Sequence, residues 1–225
     1  GRGPSIWDIC CHEGGHVYES HTGDAACDHY HRFREDVALM REIGLKAYRF
    51  SLSWSRLLPE GTGKVNEAGV RFYSELIDAL LEHGIEPYIT LFHWDLPYAL
   101  YQRGGWMNPE SVEWFGAYAR LVAERFSDRV SHFFTLNEPQ CFVGLGFLNG
   151  AHAPWLRCPL RDTFAMAHNV LKAQGQAVRM LRQYGKQPLE IGYAPTCSAA
   201  YPQRETPEDI EAARQVMFAL PEDLR

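Results

Sequence analysis

A short apolar segment followed by an amphipathic helix recurs along the chain, and this repeat limits the possible folds more than any other feature. The segments GLKAYRFSLSW, IEPYITLFHWDLP and RVSHFFTLNEP each have the aromatic and β-branched composition of a buried strand. A fourth segment, LEIGYAPT, precedes a last predicted helix that starts near Pro207. Strands that alternate with helices in this way indicate a parallel sheet connected by crossover helices.

The helices between these strands have recognisable end signals. They are predicted over residues 65–84, 108–126 and about 162–183. In the first, Asn66 is the predicted N-cap and Gly84 the C-terminal stop, and the second is predicted to open with an Asn cap and Pro109 in its first turn. The apolar face of the first helix is expected to contain Val70, Tyr73, Ile77, Leu80 and Leu81.

Two folds contain such a repeat, an open doubly wound sheet and a (β/α)8 barrel. The first would be expected to have a glycine-rich phosphate turn, but the sequence has no G-x-G-x-x-G or P-loop pattern, and we expect no cofactor. The active site of a barrel lies at the C-terminal ends of its strands. Polar and aromatic side chains follow three predicted strands here: Arg49, Ser51 and Trp54; His93, Trp94 and Asp95; Asn137 and Glu138. We therefore predict an α/β fold of the (β/α) barrel type with one shared pocket.

Composition limits the class of partner. The 225 residues are 46% hydrophobic and have a net charge of -6, so the chain can bury a core but offers no basic surface to a nucleic acid. No stretch approaches the ~20 apolar residues of a membrane helix. Six cysteines in a chain of this size are expected to be ordinary thiols, which favours a reducing compartment such as the cytoplasm. We expect a small, neutral ligand.

Each of these polar residues also has an ordinary structural interpretation. A single arginine in a strand, such as Arg49, usually forms an ion pair, and a single histidine such as His93 is usually a hydrogen-bonded core residue. Their coincidence at successive strand ends favours a binding site, because small-molecule sites combine a few polar groups with aromatic walls. For Glu138, Pro139 predicts an extended backbone at the point where strand pairing ends.

Six motifs occur in an order that resembles the family 1 glycoside hydrolases, the β-glucosidase family, over essentially the whole chain. They are DHYHRFREDVALM, RFSLSWSRLLPEG, TLFHWDLP, RGGWMN, TLNEP and GAHAP. The resemblance implies that Glu138 is the general acid/base and that Asn137 contacts the sugar 2-hydroxyl. It implies that His93 and Trp94 line the sugar site and that Arg49 supports the nucleophile. The implied partner is a β-linked glycoside or oligosaccharide.

The chemistry of a retaining glycosidase requires two carboxyl groups about 5 Å apart, one as acid/base and one as nucleophile. Glu138 suits the first role, and no residue of the sequence is a candidate for the second. The family's nucleophile segment, Thr-Glu-Asn-Gly, and its first strand, which ends in Gln-x-Glu-Gly, are not found. We expect residues 1–225 to form a single partial catalytic barrel of about four βα units, lacking the first strand and the C-terminal half. Alone, such a chain is expected to be inactive and to need a complementary half-barrel, self-association or a longer polypeptide.

The resemblance implies that two smaller departures from the family lie on the leaving-group side of the site: Gln140 after the Asn-Glu-Pro motif, and Trp155 where glycine is usual after His-Ala-Pro.

Two rival functions remain. HEGGH, at residues 12–16, satisfies the zinc-protease pattern H-E-x-x-H, but two glycines would weaken the helix that this pattern requires, and we predict a loop with no metal. The other alternative is an inactive, sugar-binding remnant of a glycosidase.

Overall fold

Four strands form one parallel sheet, and each is followed by helical structure. The computed structural model describes residues 2–13 and 15–218. The strands are β1 (Ala47–Ser51), β2 (Glu86–Phe92), β3 (His132–Asn137) and β4 (Glu190–Ala194). The α-helices are α1 (Ile6–His12), α2 (His29–Glu42), α3 (Trp54–Leu57), α4 (Glu67–Glu82), α5 (Tyr98–Gln102), α6 (Ser111–Phe126), α7 (Pro139–Val143), α8 (Leu160–Tyr184) and α9 (Pro207–Phe218). Short 3₁₀ turns span Tyr18–Ser20 and Gly105–Met107, and a π-helical turn spans Gly144–Leu148.

The order of the strands in the sheet is the order in the sequence. β1 pairs with β2, β2 with β3 and β3 with β4, always in parallel. A doubly wound sheet would reverse its strand order at a switch point. The described strands contain no such reversal, so they have the sequential winding of a (β/α) barrel. Their carboxyl ends lie along one edge, as the predicted site requires.

The core lies between one face of the sheet and the crossover helices, and Trp54 is at its centre. The Trp54 ring is fully buried, stacks on Tyr118 with centroids 4.9 Å apart, and donates a hydrogen bond from Nε1 to the Gly61 carbonyl oxygen at 2.9 Å. The prediction that Trp54 lines the pocket is therefore wrong. α3 begins at this residue, and the large apolar ring is stabilised more by burial among aromatic neighbours than by a position at the sheet edge.

The helix ends show where local sequence signals were sufficient. In α4, Gly84 has a φ of +68° just beyond the last turn, and Asn66 is the N-cap residue, both as predicted. Leu81 was predicted to be buried but is 42% exposed, whereas Leu76 is buried. The buried stripe is centred on Tyr73, Leu76 and Leu80, which follow the spacing of three to four residues of one helical face.

α6 starts later than predicted. It begins at Ser111, because the side-chain oxygen of Asn108 accepts a hydrogen bond from the backbone N–H of Glu110 at 3.0 Å and holds the preceding residues in a turn. Pro109 therefore precedes the helix and is not in its first turn.

The chain divides into two compact units, Gly1–Ala194 and Pro195–Arg225. The sheet and all predicted site residues belong to the first unit. In the described part of the second, Arg204, in the turn before α9, pairs with Asp209 in the first turn of that helix at 2.9 Å. Among the described helices, none combines the length and the apolar character needed to cross a lipid bilayer.

Two helical glycines provide a matched test of this packing. A Cβ added at Gly69 in α4 would lie 2.3 Å from the backbone oxygen of Arg56, whereas one added at Gly175 in α8 would meet nothing within 4 Å. We expect Gly69→Ala to lower the free energy of unfolding by about 2 kcal/mol through overpacking. Gly175→Ala should raise it by about 0.5–1 kcal/mol through helix propensity. Urea titration of both variants measures the two changes, and equal shifts would contradict the close approach at Gly69.

Candidate active site

The structure brings the five predicted site residues together at the carboxyl ends of three strands. Arg49 is on β1, His93 and Trp94 follow β2, and Asn137 and Glu138 stand at the end of β3. Arg49 Nη2 donates to Asn137 Oδ1 at 2.7 Å, and Asn137 Nδ2 lies 3.1 Å from His93 Nε2. Trp94 Nε1 donates to the backbone oxygen of Asn137 at 2.9 Å. Asn137 is therefore the centre of the cluster.

The protonation state of His93 follows from its neighbours. A guanidinium group can only donate, so the Asn137 atom that faces Arg49 must be the amide oxygen, and the amide nitrogen then donates to His93 Nε2. This arrangement makes His93 a neutral imidazole with its proton on Nδ1. Partial burial and the nearby Arg49 cation lower the pKa of His93, which favours the same neutral form.

Arg49 is held by uncharged partners. Its Nε donates to Thr90 Oγ1 at 2.8 Å, and its guanidinium lies 4.6 Å from the centroid of the Phe134 ring. Within the described residues, Arg49 forms no ion pair with a carboxylate. Its side chain borders an open cavity of about 740 Å³ together with Ser51, Thr90 and His93. Thr90 had been missed in the sequence, because a buried threonine in a strand gives no signal of its role.

The backbone at Glu138 is left-handed, with φ 46° and ψ 63°, so the prediction of extended geometry is wrong. The N–H of Glu138 donates to the Ala194 oxygen on β4 at 2.7 Å, and the next residue, Pro139, opens α7. Proline disfavours a right-handed helical conformation at the residue before it. The chain passes from β3 to α7 through the left-handed conformation of this one residue. The β3–β4 register also shifts between Phe134 and Asn137, an irregularity of the kind that redirects side chains near active sites.

A cysteine thiol lies against the Glu138 carboxylate. Cys141 is in the first turn of α7, three residues after Glu138, which is the N-cap residue of that helix. Burial raises the pKa of the Cys141 thiol, and the charge of Glu138 and a hydrogen bond to its side chain raise it further. The sequence pattern had given no indication of this contact.

Asp95, which follows His93 and Trp94, is partly buried and is not among the residues that line the cavity beside Arg49. One carboxyl oxygen, Oδ1, is buried without a hydrogen-bond partner among the described residues. Burial raises the pKa of Asp95 to about 7, while a hydrogen bond from the Ser53 side chain acts in the opposite direction. The expectation that Asp95 contributes to the pocket wall with His93 and Trp94 stays a prediction.

The H-E-x-x-H residues do not form a metal-binding helix. α1 ends at His12, and Gly15 has a φ of +82°, so His12 and His16 do not share a helical turn. His12 Nε2 lies 3.0 Å from Asp24 Oδ2, whereas the His16 ring stacks on Trp155. These two histidines have different partners, in agreement with the loop prediction.

The contact between Glu138 and Cys141 has a measurable consequence. Glu138→Gln removes the negative charge that helps to raise the pKa of Cys141, so the thiolate fraction at pH 8 should increase. We expect roughly three- to tenfold faster alkylation of Cys141 by iodoacetamide, measured by peptide mass spectrometry. Cys158 is an internal control, because burial and Asp162 raise its pKa. An unchanged rate at Cys141 would contradict the contact.

Comparison with known proteins gives a consistent result. Residues 1–221 match the model of glycosyl hydrolase family 1. Over 98% of its own length, the chain is 46% identical to β-glucosidase A of Acetivibrio thermocellus. Over 96% of its own length, it is 42% identical to coniferin β-glucosidase of Pinus contorta. A solved structure, the β-glucosidase of Thermotoga maritima in complex with deoxynojirimycin, superposes on 95% of the chain with a TM-score of 0.89 and 46% identity.

The chain spans about half the length of the relatives it matches, 48% of the Acetivibrio protein and 45% of the Pinus protein. It likewise covers 48% of the Thermotoga structure, and its four parallel strands correspond to part of a (β/α)8 barrel. From this match and the motifs within it, we conclude that the chain belongs to glycosyl hydrolase family 1.

Proposed function

We propose that the protein hydrolyses β-glycosides with retention of configuration and that Glu138 is its general acid/base. The observation that most supports this proposal is the position of Glu138 at the carboxyl end of β3, directly after Asn137 of the Arg49–Asn137–His93 cluster and close enough for its charge to act on the pKa of His93. The names of the relatives support β-glucosides as the substrate class.

Each residue of the cluster has a distinct role in this proposal. Glu138 protonates the glycosidic oxygen and then deprotonates the water that releases the sugar. The amide nitrogen of Asn137 has two N–H groups, and the one not directed at His93 donates to the sugar 2-hydroxyl. Neutral His93 donates through Nδ1 to another hydroxyl, and the ring of Trp94 covers an apolar face of the sugar.

Arg49 supports the nucleophile in this account. Its fixed guanidinium group would stabilise a neighbouring carboxylate in the charged form that attacks the anomeric carbon. The sequence contains no motif for that carboxylate, so we propose that it lies outside residues 1–225, which form a partial barrel of four βα units. It would come from a longer polypeptide or a complementary half-barrel. Binding of glycosides without turnover by the natural protein would instead favour a sugar-binding remnant.

Substitution of Glu138 tests the acid role through its dependence on the leaving group. In the protein expressed from its natural coding sequence, Glu138→Gln cannot donate a proton. We expect kcat/KM to fall at least about a hundredfold for methyl β-glucoside, whose alkoxide leaves poorly. For 2,4-dinitrophenyl β-glucoside, which needs little acid assistance, the loss should be less than about tenfold.

Glu86→Gln is the matched control for this experiment. Glu86 begins β2 at the opposite end of the sheet, where its carboxylate lies 2.8 Å from His132. Glu86→Gln removes one negative charge, as Glu138→Gln does, but at a site away from the Arg49–Asn137–His93 cluster. This variant should therefore hydrolyse both substrates at nearly the wild-type rate. Equal losses on the two substrates in Glu138→Gln would argue against the acid role.

A further inference from the structure

Three residues other than glycine near the proposed site have left-handed backbone conformations. They are Trp94, with φ 77°, Glu138, with φ 46°, and Trp155, with φ 55°. Trp155 is connected to Trp94, because its N–H donates to the His152 oxygen at 2.7 Å and the His152 ring contacts Trp94. Such strained positions collect at binding and catalytic sites. Trp94 and Glu138 already have proposed roles, and Trp155 has none.

Trp155 belongs to a continuous row of rings that starts at the proposed sugar site. The centroids of Trp94 and His152 are 5.3 Å apart, those of His152 and Trp7 5.9 Å, and those of Trp7 and Trp155 5.5 Å. Trp155 then stacks on His16, with centroids 4.5 Å apart and an angle of 16° between the ring planes. We call these five residues the aromatic row. Its outer members are accessible, since Trp155 is half-buried and His16 is exposed.

The aromatic row and the polar cluster approach the end of β3 from different elements. Arg49, Asn137 and His93 are on the strands or directly follow them, whereas His152 and Trp155 belong to the loop after α7. A proton donor at the glycosidic oxygen must stand between the two halves of its substrate. The hydrogen-bonding groups and Trp94 suit the sugar half, and the flat apolar faces of the row beyond Trp94 suit the other half.

We propose that Trp155 is a specificity-determining residue for the leaving group, and that with His16 it forms a stacking platform for a flat apolar face. An aryl ring has such a face on both sides, and a second pyranose ring has one on one side. This inference rests on the proposed glycosidase function and adds the class of leaving group. The left-handed backbone conformation of Trp155 is one that glycine adopts without strain. Replacing Trp155 by glycine should therefore not strain the backbone of this loop.

Two aryl glucosides separate the effect of ring stacking from the effect of leaving-group acidity. Phenol and 2-naphthol are nearly equally acidic, so phenyl and 2-naphthyl β-glucoside differ mainly in flat area. In the protein expressed from its natural coding sequence, Trp155→Gly should lower kcat/KM about tenfold for the naphthyl substrate, less for the phenyl substrate and not at all for methyl β-glucoside. The change should appear in KM, because stacking affects ground and transition states alike. Cellobiose tests whether a pyranose face uses the same platform.

The control variants separate stacking from a structural role. Trp155→Phe keeps a flat ring and should retain most of the naphthyl preference. Trp155→Asn also accepts the left-handed backbone and replaces the glycine variant if that one is unstable. Tyr18→Ala removes an aromatic ring that is 80% exposed and outside the aromatic row, and it should change nothing.

The outcomes distinguish this inference from the proposed function. A wild-type protein without activity on any glucoside would reject the glycosidase function and the inference with it. An active wild type in which Trp155→Gly, or Trp155→Asn, leaves the naphthyl-to-methyl ratio unchanged, or lowers both rates equally, would overturn the platform alone.

Discussion

The geometry of the site depends on the hydrogen bond of 2.7 Å from Arg49 to Asn137. It connects β1 to β3 across β2, which is feasible because the strands are parallel and their carboxyl ends meet at one edge. A bond between a charged donor and a buried amide such as that of Asn137 stabilises by about 1.5–3 kcal/mol, enough to fix the orientation of the amide. That orientation determines the tautomer of His93 and directs the remaining amide N–H.

The strained backbone at Trp94 and Glu138 is supported by the aromatic core beneath it. A left-handed conformation costs roughly 1–2 kcal/mol for a residue other than glycine. Phe92, just before the first turn, packs edge-on against Trp106 and Phe142, with centroids 5.2 and 5.1 Å away. Such packing is rigid, so the cost of the turns is offset by burial and the side chains of the proposed site are held at fixed positions.

The sequence predicted the elements of the fold well and the conformation of individual residues less well. The periodic strands and helices, the stop at Gly84 and the gathering of Arg49, His93 and Asn137 follow from local pattern and from the rule that parallel strands end together. The left-handed turn at Glu138 and the burial of Trp54 depend on neighbours distant in sequence. No local pattern encodes them. The contact of Cys141 with Glu138 likewise appears only once α7 is formed.

The role of Glu138 is the central claim, and chemical rescue by azide tests it most directly. In Glu138→Ala, a glycosyl-enzyme formed from 2,4-dinitrophenyl β-glucoside would lack the base that activates water. Azide needs no deprotonation and could occupy the space left by the carboxylate. With the protein expressed from its natural coding sequence, we predict that azide restores turnover and that the product is the β-glucosyl azide. Turnover that azide does not accelerate, or an α-configured azide, would contradict the assignment.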